Sequence, residues 1–278
     1  LWLLVGVPLV VGQVLLLLGS VALTAVSIYI FRQHRALYTA VMGIGALCWL
    51  VGNGLWLAGW PIHRFVFWWA GFLILTIVGE RLELSRVRRL TNKSYGWFGV
   101  GTAVFMIGLV LSLVAANPGI RLASVGILVM AAWLLTYDIA RRTARQSGLP
   151  AYMGRNLLAG YGWLALGGLV GLVWGQMTAG PHYDLWLHTI FVGFAFGMIF
   201  AHALIIFPSI TGIALPYRPI FYLPAILLQI SLLLRIIGDL TNIVWRQWGG
   251  LLNAIAILLF FILIGVTALK SARMSHGR

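Results

Sequence analysis

The stretch Leu251-Leu-Asn-Ala-Ile-Ala-Ile-Leu-Leu-Phe-Phe-Ile-Leu-Ile-Gly-Val-Thr-Ala-Leu269 contains no charged side chain. As a helix rising about 1.5 Å per residue, it is long enough to cross the ~30 Å hydrocarbon core of a bilayer. Hydrocarbon offers no partner to a bare amide, so such a run must bond its backbone within itself, and it does so as a helix. A membrane β-barrel would show short alternating segments instead, and none occur. Further runs of the same kind precede this one. Together they predict nine spans, at about 2–31, 36–60, 65–86, 97–116, 121–140, 156–178, 184–207, 219–243 and 247–269. The expected fold class is all-α, a polytopic transmembrane helix bundle. No linker or composition shift divides residues 1–278, so a single multi-pass domain is expected.

Composition agrees. Of 278 residues, 62% are hydrophobic and 9% charged, against about a quarter charged in a soluble domain. The formal charge of +14 comes from 19 Lys and Arg against 5 Asp and Glu. These basic residues sit in short loops, where topology and anionic lipid explain them better than nucleic acid does. Arg32 and Arg35 lie in the first loop; Arg86, Arg88, Arg89 and Lys93 in the third; Arg141, Arg142, Arg145 and Arg155 in the fifth; and Lys270, Arg273 and Arg278 in the tail. The alternate loops carry only Arg64, Arg121 and Arg246. The basic side, with the C-terminus, is therefore expected to be cytoplasmic. Leu1 then falls outside, which predicts a further span before it and ten in the full chain. Residues 1–31 are too long for a signal peptide and lack a small-residue cleavage site. Cys48, the sole cysteine, lies in an apolar run and is expected to be a buried, inert thiol.

Glycines recur every four residues at Gly167, Gly171 and Gly175, and again at Gly193 and Gly197, followed by Ala201. Such ridges bring helix backbones close, and a flat macrocycle could also lie on them. Trp60, Trp68, Trp69, Trp97, Trp186, Trp245 and Trp248 fall near span ends, where an interfacial belt is expected. Gln13, Asn53, Gln176, Gln229 and Asn253 are expected to hydrogen-bond between helices. Pro8, Pro208 and Pro224 are candidate kinks.

Ionisable residues inside spans are costly and mark function by default. His188 and His202 lie well within the seventh span. They are fourteen residues apart, which is about 21 Å of helical rise and within about 40° of one face. Neutral imidazole ligates haem iron and copper. Two histidines at this spacing resemble the arrangement by which membrane b-type cytochromes hold one haem near each surface, with Gly193 and Gly197 between them. A hydrogen-bonding role within a polar patch remains the alternative. Asp184 either orients His188 from one turn away or caps the helix start. His182 and His63 in outer loops, with Asp184 and His188, form a possible copper set at the surface. Arg235 and Asp239 read as an intrahelical ion pair, or Arg235 as a propionate partner at the depth of His188. Glu80, Arg81, Glu83, Arg86 and Asp138 read as solvated salt-bridge clusters at span ends, the alternative being a proton-uptake or docking surface. No phosphate-cradling loop, nucleophile elbow or zincin motif occurs.

The segment from Asp184 through His188, Gly193, Gly197 and His202 to Pro208 resembles bacterial membrane proteins related to the NnrS family. So do Leu215 to Tyr222 and Leu234 to Asp239. That family is similar, distantly, to haem–copper oxidase subunit I. The resemblance covers about 55 residues, 184–239. It implies a bacterial inner-membrane protein binding haem b, with or without copper. His188 and His202 are then ligands, and Arg235 lies in the cofactor pocket. Electrons would pass to quinone or to other membrane subunits. With two in-span histidines the chain lacks the set that oxygen reduction in subunit I requires. A cofactor-free accessory subunit and a copper or small-molecule transporter are the alternative functions.

Overall fold

Each apolar run folds as a helix in the computed structural model, which describes residues 9–86 and 90–276, with side chains as far as Arg273. The start of the first span with Pro8, the loop residues Arg88 and Arg89, and Arg278 lie outside the described residues. The helices are α1 (Leu9–Gln33), α2 (Leu37–Leu57), α3 (Ile62–Ser85), α4 (Asn92–Ser112), α5 (Ala116–Tyr137), α6 (Ala140–Thr143), α7 (Gly148–Trp174), α8 (Pro181–Leu187), α9 (Gly197–Thr211), α10 (Tyr222–Leu240) and α11 (Ile243–His276). A π-helical segment, His188–Phe196, joins α8 to α9, and a short 3₁₀ turn, Pro219–Phe221, precedes α10. Nine helices among the described residues are long and apolar enough to cross a membrane, and no strand occurs among them. Several helices start before their apolar run does. α4 begins at Asn92, where Thr91 accepts a hydrogen bond from the Ser94 amide, a polar cap that suits the interface.

Polarity is inverted relative to a soluble protein. Leu15, Leu18, Leu258, Ile262 and Leu269 are exposed, while Asn53, Asp138, Thr189 and Ser231 are fully buried. Water would penalise that surface; hydrocarbon does not. This is a multi-pass membrane protein whose outer face meets lipid.

The chain forms two compact units. The first comprises residues Leu1–Asp138 and Gly171–Ala179. Here α1, α2 and α3 pack as sequential antiparallel neighbours. A Cβ at Gly45 would crowd Thr76, one at Gly52 Trp69, and one at Gly79 Met42. Asn53 donates to the Leu16 carbonyl at 3.1 Å and accepts from Trp69 Nε1 at 3.0 Å. Gln13 donates to the Trp56 carbonyl. These are the interhelical bonds expected of in-span amides. α4 and α5 close more tightly still: Gly108 lies against the Ala123 backbone, Gly119 against Ser112 and Gly126 against Phe105. The charges at the end of α3 are not all solvated. Arg81 turns inward and grips Asp138 with Nε at 2.9 Å and Nη2 at 3.2 Å, the two side chains being 4% and 0% exposed. Ser85 also donates to Asp138. This corrects the reading of both as solvated charges: lipid leaves an inward-facing guanidinium no water to reach, so it takes a carboxylate.

The second unit comprises Ile139–Val170 and Gly180–Arg278. Its core gathers Tyr152, Phe200, Phe221, Leu228, Leu232 and Phe260, with Phe200 and Phe260 stacked at 3.9 Å. Trp163 Nε1 donates to Gln229 Oε1, and Ser231 donates to Asn253 Oδ1. Pro208 sits inside α9, which ends at the left-handed Gly212; Pro224 falls in the first turn of α10, where a missing amide proton costs nothing. Trp97, Trp245 and Trp248 are about half exposed. Trp68 and Trp186 are instead core residues, 3% and 1% exposed.

Candidate functional site

Gly180, at φ 86°, turns the chain into α8, and Pro181 occupies its first position. That start places Asp184 in the first turn and His188 one turn later, where the π-helical segment begins. Asp184 does not cap the helix; the N-cap residue is Gly180, with no side chain to bond. The Asp184 carboxylate instead reaches across to α10. Arg235 Nε donates to its Oδ2 at 2.8 Å and Nη2 to its Oδ1 at 2.9 Å. This is the two-point fork that makes Arg–carboxylate pairs strong and directional. Arg246, at the start of α11, places Nη2 3.5 Å from Asp184 Oδ1 and Nε 3.0 Å from Asp239 Oδ1. The intrahelical Arg235–Asp239 pair expected from their four-residue spacing does not form. Each of the two pairs with another helix.

Glycine notches explain why. A Cβ at Gly249 would strike the Arg235 backbone, and one at Gly238 the Arg246 backbone. Bare glycines therefore let α10 and α11 approach as an antiparallel pair, and this sets Arg246 opposite Asp239 and frees Arg235 for Asp184. Gly250 likewise lies under the Arg235 guanidinium. The result is a near-neutral set of two carboxylates, two guanidiniums and one imidazole. Their side chains are 1–28% exposed. The sequence reading placed Arg246 in a loop and gave it no role. Gly238 beside Asp239 and the Gly249–Gly250 pair were the available signals.

His188 completes the set. Its Nδ1 lies 2.9 Å from the Asp184 carbonyl and 3.5 Å from Asp184 Oδ1. A carbonyl only accepts, so Nδ1 carries a proton, and in the neutral ring Nε2 then keeps its lone pair. Metal-binding imidazoles are commonly oriented in this way. His202 Nδ1 makes the same bond to the Met198 carbonyl at 2.8 Å. The two histidines do not, however, sit on one regular α-helix. Residues 188–196 wind with i→i+5 bonding, so each turns through a smaller angle. The shared face counted at α-helical pitch no longer follows.

Gly193 and Gly197 are occupied by protein. A Cβ at Gly193 would meet Trp163 Cβ at 2.6 Å, and one at Gly197 would meet Gly160 Cα at 3.6 Å. Both glycines seat α7, and the face expected for a macrocycle is filled. His63 lies in the first turn of α3, beside a surface recess it lines with Trp60 and Arg64. His182 is the second residue of α8. Among the described residues, no three His, Cys, Asp or Glu side chains gather as a metal-binding group.

The family model for a domain of unknown function, DUF8744, matches residues 1–269. No curated protein and no solved structure matches the chain.

Proposed function

From the premise that this chain belongs to the DUF8744 family of unknown function, we propose that it is an integral membrane protein working through the ionisable set of Asp184, His188, Arg235, Asp239 and Arg246. We further propose that His188 holds a metal-centred group, haem b or copper, in a redox or haem-handling role. The observation carrying this reading is the His188 ring, whose Nδ1 is fixed by Asp184; in the neutral ring that leaves the Nε2 lone pair for a ligand bond. In-span ionisable groups are expensive to keep and mark working sites by default.

The fit to haem is partial. His188 would supply one ligand nitrogen, its ring oriented by Asp184. Arg235 does not fit a propionate contact, being engaged by Asp184 on two points, and the glycine face is filled. A haem or copper ion would supply one-electron chemistry. The protein's own residues orient the ligand and keep the surrounding charge balanced. On the topology read from loop charge, the site lies in the outer half of a bacterial inner membrane and the C-terminus is cytoplasmic. Quinone or further membrane subunits are the partners proposed. The test is a visible spectrum with metal analysis on detergent-purified protein. A Soret band or bound copper is expected, lost in His188→Ala and weakened in His202→Ala. A colourless, metal-free protein of intact fold would overturn this reading.

A second reading has its own support. Asp184 is paired with Arg235 and Asp239 lies within ion-pair distance of Arg246, and Trp163 and Gly160 close the glycine face. These features suit a cofactor-free accessory subunit, for which the expected result is a colourless protein that co-purifies with other membrane chains.

A further inference from the structure

At one end of the first unit, a cavity of about 400 Å³ lies among the loop joining α1 to α2, the end of α3 and the first turn of α4. Its polar lining is His34, Arg35, Tyr38, Arg86 and Tyr95: an imidazole, two guanidiniums and two phenols, with no carboxylate. Arg81, Arg235 and Arg246 each lie against an aspartate. Among the described residues, Arg35 and Arg86 pair with none. Two guanidiniums on one cavity repel each other, and an anion between them turns that repulsion into attraction.

The cavity wall is held in shape. Arg86 sits over the Tyr38 ring, 5.5 Å from its centroid, with Nη1 3.4 Å from the hydroxyl. That hydroxyl accepts from Arg86, so its own proton remains to be donated. Thr39 Oγ1 donates to the His34 carbonyl at 2.7 Å and accepts from the Ala36 amide at 3.3 Å, fixing the loop that carries Arg35. Ala36, which starts α2 without a side-chain cap, also lines the cavity, and the positive end of the helix adds to the field there.

We propose that this cavity binds a phosphate group, held between Arg35 and Arg86, with the Tyr38 and Tyr95 hydroxyls as further donors. A phosphate offers several acceptor oxygens and negative charge, which suits a lining made almost wholly of donors. The headgroup of an anionic phospholipid and a soluble phosphate ester share this chemistry. A general preference of basic loops for one side of the membrane accounts for the charge of the loops; it gives no reason for two arginines to share one cavity that lacks a carboxylate. The site shares no residue with the ionisable set of the second unit and stands independently of its function.

The experiment is a titration of delipidated, detergent-solubilised protein with glycerol 1-phosphate, phosphatidylglycerol or the phosphate-free diacylglycerol. Binding is read by native mass spectrometry and by melting temperature at fixed ionic strength. A phosphate-bearing compound is expected to bind and raise the melting temperature, and diacylglycerol is not. Binding of glycerol 1-phosphate would assign the site to soluble phosphate esters; retention of phosphatidylglycerol without it would assign the site to a lipid headgroup. Arg35→Gln and Arg86→Gln should each weaken binding about fivefold, the share one basic residue contributes at an anionic surface. Arg145→Gln removes an exposed arginine outside the cavity and should leave binding unchanged. Failure of both phosphate compounds to bind would overturn the proposal, as would diacylglycerol held as firmly as phosphatidylglycerol or unchanged binding in both cavity variants. An equal loss in Arg145→Gln would show diffuse surface charge instead of a site and overturn it too. Arg35 is exposed and makes no side-chain bond among the described residues, so Arg35→Gln decides the matter should Arg86→Gln fail to fold.

Discussion

Arg81 and Asp138 show what a single inward charge requires in this solvent. Their side chains are 4% and 0% exposed and meet through two hydrogen bonds, with Ser85 as a third donor. Removing one partner strands the other, at a cost of about 3–5 kcal/mol, whereas replacing both with apolar residues is near neutral. Asp138→Leu and Arg81→Leu are each expected to lower the melting temperature in detergent sharply, and the double variant should recover most of the loss. Simple additivity of the two would show that the residues do not act as a pair. Sequence alone placed both among the solvated charges, because their closeness to a span end hid which way each side chain turns. The inward-facing amides were easier to read: Asn53, Gln229 and Asn253 had no water at their depth and so had to find partners.

Helix partnerships are set by absent side chains. Along α4 and α5 the glycines alternate between helices, Gly126 against Phe105, Gly108 against Ala123 and Gly119 against Ser112, so neither helix can shift past the other. Gly126→Leu should therefore destabilise the first unit by at least the ~1–3 kcal/mol of an overpacked core, since it meets backbone rather than a movable side chain. Gly162→Leu faces open space and should leave the melting temperature unchanged. The helices themselves were legible because lipid demands long apolar runs, and their ends differed by a few residues because helices continue into the polar interface. The pairing of charges was not legible. Arg235 and Asp239 share a helix at ion-pair spacing, yet the notches at Gly238 and Gly249 redirect both to other helices. The π-helical segment was hidden too. His188 to Phe196 is almost uniformly apolar, so no hydrophobic period records its wider turn. That segment undid the inference that His188 and His202 share a face.

Leucines and isoleucines are exposed and polar side chains buried in both units, and the direction proposed from loop charge can be tested. In a Cys48→Ala background, Ala179→Cys is expected to react with a membrane-impermeant maleimide added to intact cells, and Gln146→Cys only after lysis. The opposite pattern would invert the orientation and move the Asp184 set to the cytoplasmic side. The tight glycine contacts within α4–α5 and α10–α11 join helices that follow one another directly in the chain. Each such hairpin has everything it needs to close once its second helix leaves the ribosome and enters the bilayer. Biogenesis can then proceed pair by pair, with the Arg246–Asp239 contact made only when α11 is released.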